Sequence, residues 1–80
     1  MPKIKNLSGK EVVRILESFG FVVVKQRGSH IKLVRIINNN RQILTIPNHK
    51  ELDKGTLKAI FIQTSRFVTE SELRQYFYSN

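Results

Sequence analysis

Phe21-Val22-Val23-Val24-Lys25-Gln26-Arg27-Gly28-Ser29-His30-Ile31-Lys32-Leu33-Val34-Arg35-Ile36-Ile37 is the stretch that decides the fold. Two apolar, β-branched runs flank a glycine-containing turn, the pattern of a β-hairpin. Strands are predicted over Phe21–Gln26 and His30–Ile37, with Arg27-Gly28-Ser29 as the turn and Gly28 supplying positive φ. Along the second strand, His30 and Lys32 share one face while Ile31 and Leu33 share the other. His30 therefore belongs to the solvent face of a sheet whose other face packs on helices. The alternation breaks at Val34-Arg35-Ile36-Ile37, where a bulge or a weakly packed end is expected. Asn38-Asn39-Asn40 reads as a hairpin loop because asparagine tolerates positive φ. A third strand, Gln42–Ile46, returns before Pro47 ends it.

Helices are predicted on both sides of this sheet segment. Ser8 and Glu11 have the spacing of a capping box, in which each side chain satisfies a free backbone N–H of the other's turn. Leu7 and Val12 fit the accompanying hydrophobic staple. Val12, Val13, Leu16 and Phe19 share one helical face, and Gly20 supplies a left-handed stop. A second helix starts at Asp53 with Leu52 and Leu57 as staple, and Leu57, Ile60, Phe61 and Thr64 fall on one of its faces. Thr69-Glu70-Ser71-Glu72 reads as another capping box opening a short third helix, whose Leu73, Tyr76 and Phe77 form an apolar face. The order is α-β-β-β-α plus a terminal helix, an α+β class with a three-stranded antiparallel sheet.

Composition bounds the function. Eighty residues suffice for one domain with a small core, expected over 1–80 with a basic tail at 1–6 and a helical extension at 66–80. Fourteen Lys+Arg against six Asp+Glu give a formal charge of +8, which favours a polyanionic partner, nucleic acid or an acidic protein surface. With no cysteine, disulfides and thiolate metal sites are excluded. His30 and His49 lack zinc-type spacing, so no metal and no cofactor are expected. No apolar run is long enough to span a bilayer, and Met1-Pro2-Lys3-Ile4-Lys5 lacks the apolar stretch of a signal peptide. A cytoplasmic location without membrane contact is the expectation.

The chemistry is expected around the hairpin turn. Histidine is the side chain whose ordinary titration lies nearest neutrality. Lys25, Arg27 and Lys32 would draw a phosphodiester backbone to the same place, and Gly28 and Ser29 let it approach the main chain. Such a grouping suggests RNA cleavage as much as RNA binding. RNA carries its own nucleophile in the 2′-OH. One group must remove that proton while another protonates the leaving 5′-oxygen, with cations stabilising the phosphorane. His30 fits the base, with a lysine or water as acid, or the acid with the base unassigned. Lys54, Gly55 and Thr56 at the second helix's N-terminus, with Lys58 nearby, are a further candidate phosphate contact. The competing reading there is ordinary capping by Asp53, whose charge would repel a phosphate. Tyr76, Phe77 and Tyr78 read as core or partner packing before a base-stacking platform.

Four elements in order resemble the HicA toxin family, small bacterial RNA-cleaving toxins of type II toxin–antitoxin pairs. They are Phe19-Gly20-Phe21, Gln26-Arg27-Gly28-Ser29-His30, Ile46-Pro47-Asn48-His49 and Lys54-Gly55-Thr56-Leu57, within a resemblance running from about Ser8 to Thr64. The resemblance implies a fold like the double-stranded-RNA-binding domain and metal-independent endonucleolytic cleavage of mRNA. It also implies His30 as the catalytic residue and a HicB-type antitoxin that blocks it. His49 matches a position often histidine in the family, against the alternative of a loop residue holding the strand-to-helix connection. This chain departs in having Ile31 and Leu33 where many relatives carry a second histidine or an aromatic. Ser65-Arg66 replaces the glycine that often ends the second helix. The alternatives to a ribonuclease are a non-catalytic RNA-binding module and a protein-interaction domain with the same basic face.

Overall fold

The computed structural model describes residues 2–79. Its elements are β1 (Lys3–Ile4), α1 (Gly9–Ser18), β2 (Val22–Arg27), β3 (His30–Ile37), β4 (Asn40–Pro47), α2 (Lys54–Thr64), α3 (Glu70–Phe77) and β5 (Tyr78–Ser79). Strands β2, β3 and β4 form an antiparallel sheet in that order. Ile31, Leu33, Leu44 and Ile46 point from it into one core, where they meet Val12, Leu16, Leu57, Phe61, Leu73 and Phe77 of the helices. The α+β architecture is the one the sequence predicts.

Local chemistry sets the boundaries. Ser8 Oγ accepts the Glu11 N–H at 3.0 Å and the Glu11 carboxylate accepts the Ser8 N–H at 2.8 Å, so the first capping box is complete. Gly20 and Gly28 both take positive φ, 95° and 58°. Asn38 and Asn39 do the same, at 51° and 67°. These two asparagines alone form the second hairpin turn, and Asn40 already pairs with Ile37. Positive φ at both central positions matches the right-handed twist of the flanking strands. Asp53 caps α2, its carboxylate accepting the Thr56 N–H at 2.7 Å.

Several features differ from the sequence reading. Strand β3 keeps an unbroken register with β4 from His30 to Ile37, so its end holds no bulge there, and Ile36 and Ile37 are exposed as a weakly packed end. The register shift lies in β2, between Val23 and Lys25. Thr69 makes no capping bond to the backbone; its hydroxyl donates to the Glu72 carboxylate at 2.9 Å instead. Residues of the expected basic tail are tied down, since Lys3 pairs with Ser79 and Ile4 with Tyr78.

Arg35 explains the broken alternation. It sits on the helix side of the sheet, where its guanidinium lies 4.9 Å over the Phe21 ring. It donates to the carbonyls of Phe19 (2.9 Å) and Phe67 (2.8 Å) and to the Gln42 side chain (2.7 Å). One side chain thus joins the end of α1, the chain beyond α2 and strand β4. Helix α2, which lacks a terminal glycine, stops at Ser65 and runs into a turn whose Phe67 carbonyl Arg35 holds.

Candidate functional site

Register decides which side chains share the open face of the sheet. Arg27 pairs with His30 and His30 with Pro47; Lys25 pairs with Lys32 and Lys32 with Thr45. Because the β2 bulge falls at Val24, the strand's alternation shifts there, and Lys25 and Arg27 join His30 and Lys32 on the face opposite the core. Directly paired residues on one face of a sheet have Cβ atoms about 4.5–5.5 Å apart. Lys25 therefore stands beside Lys32, and Arg27 beside His30. Like charges directly opposite one another destabilise a sheet, and an anion on this face relieves that repulsion. No carboxylate lies between Glu17 and Glu51, so the sheet itself offers none.

Gly28 and Ser29 hold the tight turn beside His30, and nothing lies within 4 Å of where a Gly28 Cβ would be. The Ser29 carbonyl accepts the Asn48 N–H at 2.6 Å, which fixes the turn to the loop after β4. That loop is fixed in turn to α1, because Gly9 donates to the His49 carbonyl at 2.9 Å. The approach is close enough that a Cβ at Gly9 would overlap the Pro47 carbonyl oxygen. Ser8, Lys10, Asn48, His49 and Lys50 line a shallow hollow at this junction.

The structure brings Lys25, Arg27, Gly28, Ser29, His30 and Lys32 together. His49 stands at the same end of the sheet, and its main chain carries the connection to α1. Lys54 and Lys58 are exposed on α2, in the helical layer rather than on the open face. Thr56 gives its N–H to Asp53. Hydrogen bonding from Thr56 first, and then from the Gly55 N–H, holds the Asp53 carboxyl below its ordinary value, so the α2 N-terminus already has its anion. Phe77 lies in the core and Tyr78 packs against it, both beside the Phe61 ring, while Tyr76 is exposed and meets Phe19 in a T-shaped pair, so the three rings form no common stacking platform. Thr45, beside Lys32, went unnoticed in the sequence; counting pairs back from the Asn38-Asn39 turn places it there.

Among the described residues, no three His, Cys, Asp or Glu side chains gather as potential metal ligands. Among them, too, no helix is long and apolar enough to cross a membrane. No curated protein and no solved structure matches the chain. The family described as HicA toxin of bacterial toxin–antitoxin matches residues 9–65, which spans α1, the whole sheet and α2. A match over this much of the chain settles its kinship: the chain is a member of the HicA toxin family.

Proposed function

We propose that the protein is the endoribonuclease of its toxin–antitoxin pair, cutting mRNA in the bacterial cytoplasm without a metal ion, and that a HicB-type antitoxin silences it. The observation that carries this reading is the pairing of Arg27 with His30 and of Lys25 with Lys32 on one open, acid-free face. The cations seat the phosphodiester, and His30 lies where the scissile group would rest. The 2′-oxygen attacks phosphorus, the bond to the 5′-oxygen breaks, and a 2′,3′-cyclic phosphate and a 5′-hydroxyl form. His30 takes the 2′-proton or delivers one to the departing oxygen. Lys25, Arg27 and Lys32 stabilise the charge that builds on the phosphorane.

His30→Ala tests it. His30 is exposed at a strand start, so the variant folds, and it binds RNA through the remaining cations but neither cuts RNA nor arrests growth. A folded variant that cuts at the wild-type rate would remove His30 from the chemistry.

A further inference from the structure

The open face carries two surfaces. Beyond the cationic end lies an aliphatic strip. Val22 is 61% exposed, Val24 53%, Ile36 66% and Ile43 43%. They surround Val34, which is 8% exposed yet stands outside the main core. Val22, Val34 and Ile43 lie directly opposite one another across β2, β3 and β4. A contiguous exposed apolar patch on a small protein marks a surface meant to be covered. We propose that this strip is the foothold of a protein inhibitor, acidic around apolar side chains, which sits on the open face and thereby also covers His30. The inference rests on the toxin–antitoxin reading and adds to it where the inhibitor holds.

Three observations select this occupant. Single-stranded RNA would need aromatic platforms for its bases, but the strip's own side chains are aliphatic, and the one ring that lines the hollow beside it, Phe19, is already paired with Tyr76. A second copy of the chain would bring like charge onto like charge, since Lys25 and Lys32 border the strip on one side and Arg41, paired with Ile36, on the other. A two-fold interface sets the same patch against itself, and this patch has no carboxylate to complement its cations. Strand addition along β2 is disfavoured because the Val24 bulge interrupts the edge ladder. A flat face with apolar centre and cationic border fits an acidic protein surface.

The test uses the purified full chain and, as probe, the protein encoded in the adjoining reading frame. Val24→Thr, Ile36→Thr and Ile43→Thr are combined, which keeps β-branching while removing apolar surface. The expected result is at least about 100-fold weaker inhibitor binding, the scale of losing several central anchors, with affinity for an RNA oligonucleotide within about threefold of wild type. Inhibitor affinity that stays within about threefold overturns the proposal, as does a probe that never binds wild type. RNA affinity falling in step would make the strip an RNA surface, and a free wild-type dimer that the variant dissociates would make it a self-interface. Should the triple variant misfold, hydroxyl-radical footprinting of wild type decides. Val24, Ile36 and Ile43 are protected by the inhibitor and not by RNA; the absence of that difference overturns the proposal. Cleavage by His30→Ala would sink the catalytic reading and leave this one standing.

Discussion

Replacing Arg35 by methionine separates what holds this fold from what works on its face. The substitution keeps length and apolar stem but removes the donors that reach the Phe19 and Phe67 carbonyls and the Gln42 side chain. Gln42 can turn to water, so the loss falls on the two carbonyls. Hydrogen bonds from a charged donor contribute about 1.5 kcal/mol each at the low end suited to a half-buried site. Their sum, about 3 kcal/mol, is offset by about 1 kcal/mol from the thioether packing on Phe21. The expected net destabilisation is about 2 kcal/mol, or about 8–16 °C in Tm for a domain of this size. Urea denaturation followed by circular dichroism measures it, with an unchanged m-value showing that only stability moved. Arg35→Lys keeps the charge but reaches one acceptor at best, and falls between the two. His30 is five residues away along β3, roughly 17 Å, so RNA cleavage well below the melting temperature stays at the wild-type rate. A stability change under about 0.5 kcal/mol would refute the clamp, since the bonds would then be surface decoration of the kind that contributes little.

Lys25→Ala, Arg27→Ala and Lys32→Ala should each weaken RNA binding and shallow the slope of log K against log salt by roughly 0.7 for single strands. Unchanged slopes in all three would route the RNA away from this face. Cleavage should survive EDTA and leave 2′,3′-cyclic or 3′-phosphate ends; activity lost to chelator and restored by Mg²⁺ would replace the histidine mechanism with metal chemistry. The Glu11 and Asp53 carboxyls are held below their ordinary values by the backbone N–H bonds of Ser8 and Thr56. Their stabilisation is full above the ordinary carboxylate range and is lost as pH falls through the lowered values. Amide protection factors at the first turns of α1 and α2, corrected for the intrinsic exchange rate, should therefore fall below that range, and Asp53→Asn should flatten the response at α2 alone. Equal acid sensitivity in wild type and variant would assign it elsewhere.

Much of this molecule is legible in the sequence because its causes are local. The Ser8–Glu11 cap, Gly20, Gly28 and the paired asparagines each act within four residues, and all four do what their chemistry predicts. The open-face position of His30 follows from a period of two counted from Ile31 and Leu33. Where the cause is long-range, the sequence is silent. Arg35 interrupts the pattern visibly, but its acceptors lie 7, 16 and 32 residues away, and nothing nearby names them. The pairing of Lys3 with Ser79 spans nearly the whole chain with two-residue strands, too short to carry a period. The Thr69 capping box is a local miss: its hydroxyl bonds the Glu72 carboxylate in place of a backbone N–H.

The irregularity at Val24 gives strand β2 a particular tolerance to changes in length. Because Val24 is the supernumerary residue, its deletion would leave Lys25 opposite Lys32 and Arg27 opposite His30 in an ordinary ladder. The phosphate-seating end would survive while one aliphatic side chain of the neighbouring strip disappeared. Deleting Gln26 instead would throw Lys25 and Arg27 out of phase and send one of them toward the helices. A one-residue gap in this strand therefore carries opposite meanings two positions apart. At Val24 it trims the surface meant for a partner, and past Lys25 it dismantles the surface meant for the substrate. Variation in the length of this strand could retune inhibition without touching cleavage, a separation that no single substitution among the cations would achieve.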